Sequence, residues 1–252
     1  MTDFHVLIPV RLAATRLPRK PLLDLGGEPL IVRVLQRAAS ADARSVCVAT
    51  DSKAVAEVVE RAGGSVVHTR SDHACGTDRL SEAVMRLKLS DDAIVVNLQG
   101  DEPEMPAACL RQVADVLERS RQADMATLWR PLGGESEWLD ENVVKVVVDR
   151  DGRALYFSRS PIPALRGSGW PESDARGHIG LYAYRVGALR AWSLLPDSRL
   201  EQLESLEQLR ALEAGWTIAC QRARTAVPAG IDTPEDLEKA RRRFVLNGNT
   251  EE

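Results

Sequence analysis

The chain has 252 residues, 44% of them hydrophobic and 28% charged, enough to bury a full core without disulfides or metal. Its formal net charge of −4 excludes nonspecific nucleic-acid binding, which needs a basic field. No apolar stretch approaches the roughly 20 residues that cross a bilayer, and no secretory leader is expected at the N-terminus.

Four cysteines, Cys47, Cys75, Cys109 and Cys220, show no metal-ligand spacing. Three lie in apolar runs and read as small buried side chains, as suits a reducing cytoplasm.

In chain order, short apolar runs alternate with segments of helical period. Phe4 to Pro9, Ser45 to Thr50, Val66 to His68 and Ala93 to Leu98 read as buried strands. Pro29 to Ser40, Lys53 to Ala62, Thr77 to Leu87 and Pro106 to Arg119 read as helices. Strands buried on both faces and joined by crossover helices predict an α/β fold with a doubly wound, mostly parallel sheet. Ligands of such sheets bind at the carboxyl ends of the strands.

The middle breaks this rhythm. Val143 to Val148, an Asp149–Gly152 turn and Arg153 to Ser158 read as a β-hairpin, followed by a Pro- and Gly-rich loop from Arg159 to Gly177. A strand (Ile179 to Tyr184), a helix (Leu203 to Ala214), a strand (Thr217 to Gln221) and a helix from Pro234 to Leu246 complete the reading. A single domain over 1–246 is expected, with an inserted hairpin-and-loop region over about 132–185 and a tail at 247–252.

The loop Pro9 to Pro21 holds Arg11, Arg16, Arg19 and Lys20, with no acid between Asp3 and Asp24. Such cations at the end of a first strand suit a polyphosphate, although a solvated basic loop explains the charge pattern as well. No dinucleotide fingerprint or P-loop is present. Asp101, just past the fourth buried strand, stands where a metal-binding carboxylate would sit, and it also suits a plain turn. Pro106 makes Met105 the expected cap of the following helix, which leaves Asp101 without that task. Near the C-terminus Thr233, Pro234 and Asp236 approximate a capping box, with Asp232 just outside the helix. Two carboxylates share one Mg²⁺ if the fold joins them.

Smaller signals remain. Thr69 to Arg79 is a polar loop before a helix, whose N-terminus can receive an anion or a base edge. His178 and Tyr182 have the spacing of one strand face. Ser205 to Gln208 reads as a capping box, which would by itself account for Gln208.

Taken together, these stretches carry a resemblance. Pro9-x-Arg11 with Thr15–Pro21 resembles the signature of the sugar-nucleotide cytidylyltransferases. Val48–Asp51, Gly76–Arg79, Val96–Pro103, Ala154–Arg159, His178–Tyr182, Leu206–Arg210 and Gly230–Leu237 are similar, in order, to the branch that acts on Kdo (3-deoxy-manno-octulosonate). The resemblance spans nearly the whole chain. It implies a cytoplasmic, Mg²⁺-dependent enzyme that moves CMP from CTP to Kdo for lipopolysaccharide biosynthesis, working as a homodimer built through the inserted region. It further implies that Arg11, Thr15, Arg16 and Lys20 hold the CTP phosphates, with Gly76 and Thr77 near the cytidine. Asp101 and Asp232 would bind Mg²⁺. Gln99, Arg166, His178, Tyr182, Glu207 and Gln208 would contact the sugar acid, with Arg79 beside them.

The chain departs from the family pattern at Val10 (usually Ala), Leu12 (aromatic), Ala14 (Ser), Arg19 (Gly) and Cys75 (Ser). A Gly position can require a backbone angle that burdens a residue with a side chain, so Arg19 is the departure that bears on loop geometry. Other acceptors, an 8-amino Kdo analogue or a sialic acid, stay open, as does a CTP-binding regulatory protein with weakened catalysis.

Overall fold

The computed structural model describes residues 2–12 and 17–248. The first half winds about a central strand, β1 (His5–Val10). A short hairpin, β2 (Asp24–Leu25) and β3 (Glu28–Pro29), leads into α1 (Leu30–Ala39). Then follow β4 (Ser45–Thr50), α2 (Lys53–Arg61), β5 (Ser65–His68), α3 (Gly76–Arg86), β6 (Ile94–Asn97) and α4 (Ala107–Arg119). β4 pairs parallel to β1, β5 parallel to β4, and the chain then crosses to lay β6 parallel along the other side of β1. The reversal of strand order between β1 and β6 is where a doubly wound sheet opens a ligand crevice.

Alternation within the strands builds two cores. Val6, Ile8 and Val10 of β1, with Val96 of β6, face the layer that contains α1, α2, α4 and the C-terminal helix. Leu7 and Val95 face the opposite layer. Period-2 alternation with both faces apolar is why these segments read as continuous hydrophobic runs.

The second half is mixed rather than parallel. β7 (Met125–Pro131), α5 (Glu135–Leu139), β8 (Lys145–Val148), β9 (Ala154–Ser158), β10 (Arg176–Arg185) and α6 (Val186–Trp192) precede α7 (Arg199–Glu204) and α8 (Gln208–Glu213). β11 (Ile218–Arg222) and α9 (Pro234–Gly248) complete the chain. The sheet order is β11-β7-β10-β6-β1-β4-β5, with β10 antiparallel to both neighbours. β8 and β9 form the expected hairpin and attach to β10 at Gly177 and Lys145. α3, α6 and α8 cover the second core.

Three expectations are corrected. The helix expected from Leu203 to Ala214 is two short ones, broken where Ser205 takes a left-handed φ of 52°. Ser205 therefore closes α7 and caps nothing ahead of it: the residue before α8 is Glu207, which makes no side-chain cap bond. The Ser205–Gln208 capping box does not form. Pro106, not Met105, precedes the first residue of α4. In the inserted region Trp138 packs with Leu132 and Ala175 in a small cluster of its own.

Candidate active site

The carboxyl ends of β1 and β6 open onto one cavity of about 380 Å³. Its walls include Arg11, Lys20, Gly76, Arg79, Gln99, Asp101, Glu207 and Asp232, eight of the residues singled out in the sequence. They come from five separate stretches, so no sequence window contains the site.

Lys20 owes its position to the residue before it. Arg19 sits at φ 56°, ψ 28°, and turns the chain into a single 3₁₀ turn from Lys20 to Leu22, stiffened by Pro21. The Lys20 ammonium then reaches across the cavity floor. It donates to Asp101 Oδ2 at 2.7 Å and Asp232 Oδ1 at 3.0 Å.

Asp101 lies on the turn after β6, closed by the Glu102 N–H donating to the Gln99 carbonyl at 3.2 Å. The second carboxylate is brought to it by backbone: the Ile231 N–H donates to the Asp101 carbonyl at 3.0 Å. A Cβ on Gly230 would lie 3.4 Å from that same carbonyl oxygen and 3.5 Å from Glu102 Oε1, ordinary contact distances. Beyond Asp232 the expected capping box forms, the Asp236 N–H donating to Thr233 Oγ1 at 3.2 Å and the Thr233 N–H to Asp236 Oδ2 at 2.9 Å. Burial, and then the charges of Asp101 and Asp232, push the Glu102 carboxyl up to about 8 against the opposing pull of Lys20.

The opposite wall is the start of α3. Cys75 precedes the helix and its Sγ accepts from the Asp78 N–H at 3.4 Å, a longer and weaker cap than a hydroxyl makes. Burial raises the thiol's pKa, so the sulfur stays protonated. Glu207 reaches this helix end from the turn before α8 and accepts from Thr77 Oγ1 at 2.7 Å. Arg79, buried, pairs with Asp51 at 3.1 Å and donates to Thr69 Oγ1, fixing the loop between β5 and α3. His73 and Pro9, neither given a role in the sequence, also line the cavity. Glu82 holds His73 at 2.6 Å. Burial opposes Glu82's charge, but the Arg70 N–H, His73 and Arg86 hold its carboxyl down at about 2.

Other expected residues stand back from the cavity. Thr77 is buried behind its wall. Tyr182 lies in the second core, its ring 5.4 Å from that of His178. His178 faces Thr127 Oγ1 at 3.0 Å, and burial pushes its pKa down to about 3. Gln208 is 4% exposed, and its Nε2 has no partner among the described residues. Arg166 is exposed on the loop after β9 and does not line the cavity. Thr15 and Arg16 lie outside the described residues.

The Ala154–Arg159 motif acts at a distance. The Arg159 Nε–H donates to the Glu204 carbonyl at 2.7 Å, and Ser158 Oγ donates to Glu204 Oε1 at 2.6 Å. These bonds tie β9 to the α7–α8 turn that carries Glu207 and Gln208.

A mostly parallel α/β sheet with a cation and two carboxylates at its switch point defines a nucleotidyltransferase-like fold and site. A cytidylyltransferase family model matches residues 5–224, and the chain belongs to that family. It is 47% identical over 243 residues to a 3-deoxy-manno-octulosonate cytidylyltransferase of Polynucleobacter necessarius subsp. necessarius (strain STIR1), covering 95% of this chain and 94% of that one. A solved structure of CMP:2-keto-3-deoxy-manno-octonic acid synthetase complexed with CTP matches at a TM-score of 0.90 and 40% identity, over 98% of this chain and 100% of that one. A cytidylyltransferase of Leptospira borgpetersenii serovar Hardjo-bovis (strain JB197), 15% identical, shares the fold at a TM-score of 0.59, over 96% of this chain and 86% of that one.

Proposed function

We propose that the chain transfers CMP from CTP to the anomeric hydroxyl of Kdo and releases pyrophosphate, with Mg²⁺ as its metal. The observation that carries this reading is the meeting of Lys20, Asp101 and Asp232 on one cavity wall at the ends of β1 and β6. The choice of Kdo is supported by relatives that match almost end to end.

The donor set suits Mg²⁺, which takes one or two carboxylates and completes its shell with phosphate and water. Asp101 and Asp232 offer oxygen donors on loops tied by the Ile231–Asp101 hydrogen bond. Among the described residues no group of three His, Cys, Asp or Glu side chains is placed to hold a metal ion, so the pair would hold the ion jointly with substrate. When bound, the metal supplies electrostatic stabilisation of the charge that builds on the α-phosphate.

The remaining work falls to positioning, which is what nucleotidyl transfer chiefly needs. Arg11 and Lys20, with Thr15 and Arg16, hold the triphosphate and the departing pyrophosphate. Gly76 and Thr77 flank the cytidine. Gln99, Arg166, His178, Tyr182, Glu207, Gln208 and Arg79 take the acid sugar. The sugar hydroxyl bonds to the α-phosphorus as the bond to the bridging oxygen breaks, and no protein nucleophile is required.

The product would serve lipopolysaccharide biosynthesis. The enzyme works in the cytoplasm, where unpaired thiols persist, and its four cysteines are free. No helix among the described residues is long and apolar enough to cross a membrane. Residues 1–246 act as one domain, a reading supported by the nine-stranded sheet that joins β1 to β11. A homodimer through the inserted region is supported by exposed Leu139, Leu155 and Leu165 there.

Asp101→Asn is the direct test. Pyrophosphate release with CTP, Mg²⁺ and Kdo should fall at least about 100-fold, with stability changed by less than about 1 kcal/mol. A near-normal rate would sink the assignment.

A further inference from the structure

The Lys20 side chain is 12% exposed, and its ammonium bridges the two carboxylates proposed for the metal, at 2.7 Å and 3.0 Å. The charge balance explains why a cation belongs there. Asp101 and Asp232 bring two carboxylates within contact distance of one ammonium. An ammonium and a divalent ion answer the same demand, and like charges at contact distance repel. Both cannot sit on the pair at full strength. Lys20 carries its charge on a flexible four-carbon stem, and it shares the cavity with Arg11, where phosphates would offer it a second set of oxygens.

We infer that Lys20 is an internal counter-cation that keeps divalent metal off the Asp101–Asp232 pair until a nucleoside triphosphate draws its ammonium onto phosphate. The metal then binds with or after the nucleotide, never ahead of it. This rests on the reading of Asp101 and Asp232 as the metal pair. It gives Lys20 a task besides holding phosphate, that of setting the order of assembly.

The test counts bound Mn²⁺, as a stand-in for Mg²⁺, by its electron-spin resonance on the full chain without acceptor sugar. Without nucleotide, Lys20→Met should bind Mn²⁺ at least about tenfold tighter than the wild type. Lys20→Arg, which keeps a cation, should stay weak. With equal CTP present, the wild type should hold more Mn²⁺ than Asp101→Asn, whose signal reports the ion held by CTP itself. Equal affinity of the wild type and Lys20→Met without nucleotide overturns the inference, even where the Asp101→Asn difference upholds the metal pair. No difference between the wild type and Asp101→Asn with CTP overturns both. Should Lys20→Met not fold, the wild type alone still decides: tight Mn²⁺ binding without nucleotide contradicts the counter-cation role.

Discussion

Arg19 holds a left-handed backbone, φ 56°, one position before the lysine that reaches both carboxylates. A residue with a Cβ pays about 1 kcal/mol or more for that region, which glycine enters freely. The family's usual glycine is therefore a backbone requirement, and this chain meets it under strain. Arg19→Gly should raise stability by about 1 kcal/mol in urea unfolding, with the slope against denaturant unchanged. A destabilised variant would show that the guanidinium makes contacts worth more than the strain. The sequence identified Arg19 as a geometric departure because its reasoning was local: one residue, one backbone angle. Gln208 was less legible. Its apparent capping partner Ser205 turns left-handed and ends α7, a tertiary outcome that no four-residue window contains.

At the scale of elements, the cavity depends on how closely the ends of β1 and β6 approach. A Cβ on Gly100 would lie 2.8 Å from Val10 Cγ2 and 3.4 Å from the Pro9 carbonyl oxygen. Val10 is buried and β-branched, so it cannot turn aside cheaply. Gly100→Ala should cost about 1–3 kcal/mol and push the Asp101 loop off its register with β1. Adding Val10→Ala should recover most of that loss, because the contact is between the added methyl group and Val10 Cγ2. A double-mutant cycle in urea checks this, and additive losses would contradict the packing argument.

The parallel strands around β1 were readable from their apolar runs, since burial on both faces leaves an unbroken signal. β7 was not. Its stretch ends in Trp129, Arg130 and Pro131, and the strand gains its place by lying between β10 and β11. The antiparallel β10 was legible as a strand, but its direction follows from the inserted hairpin and not from its own residues.

At the scale of the whole molecule, packing against the second core governs one titration. His178 lies between Phe157 and Tyr182, and its pKa is pushed down to about 3 from an ordinary 6.5. Between those values the unfolded chain binds a proton that the folded chain refuses, so stability rises with pH through this window. His178's contribution is therefore complete above about pH 6.5 and is lost as pH falls toward 3. Unfolding midpoints measured from pH 7 down to pH 4 should decline more steeply for the wild type than for His178→Gln. Parallel curves would show that the imidazole titrates normally in the folded state.

The pieces of the site were visible singly as a basic loop, two acids after apolar runs and a polar helix start. Their meeting was not, because it depends on a backbone bond, Ile231 to Asp101, between residues 130 positions apart in the chain. The resemblance to a family supplied the grouping that spacing could not.

The most direct measurement is pyrophosphate release from CTP and Mg²⁺, run without acceptor and with Kdo, its 8-amino analogue or a sialic acid. Release that depends on Kdo and is fastest with it is the predicted result. Release driven by another acid, or none from folded chain that binds CTP, would contradict the account.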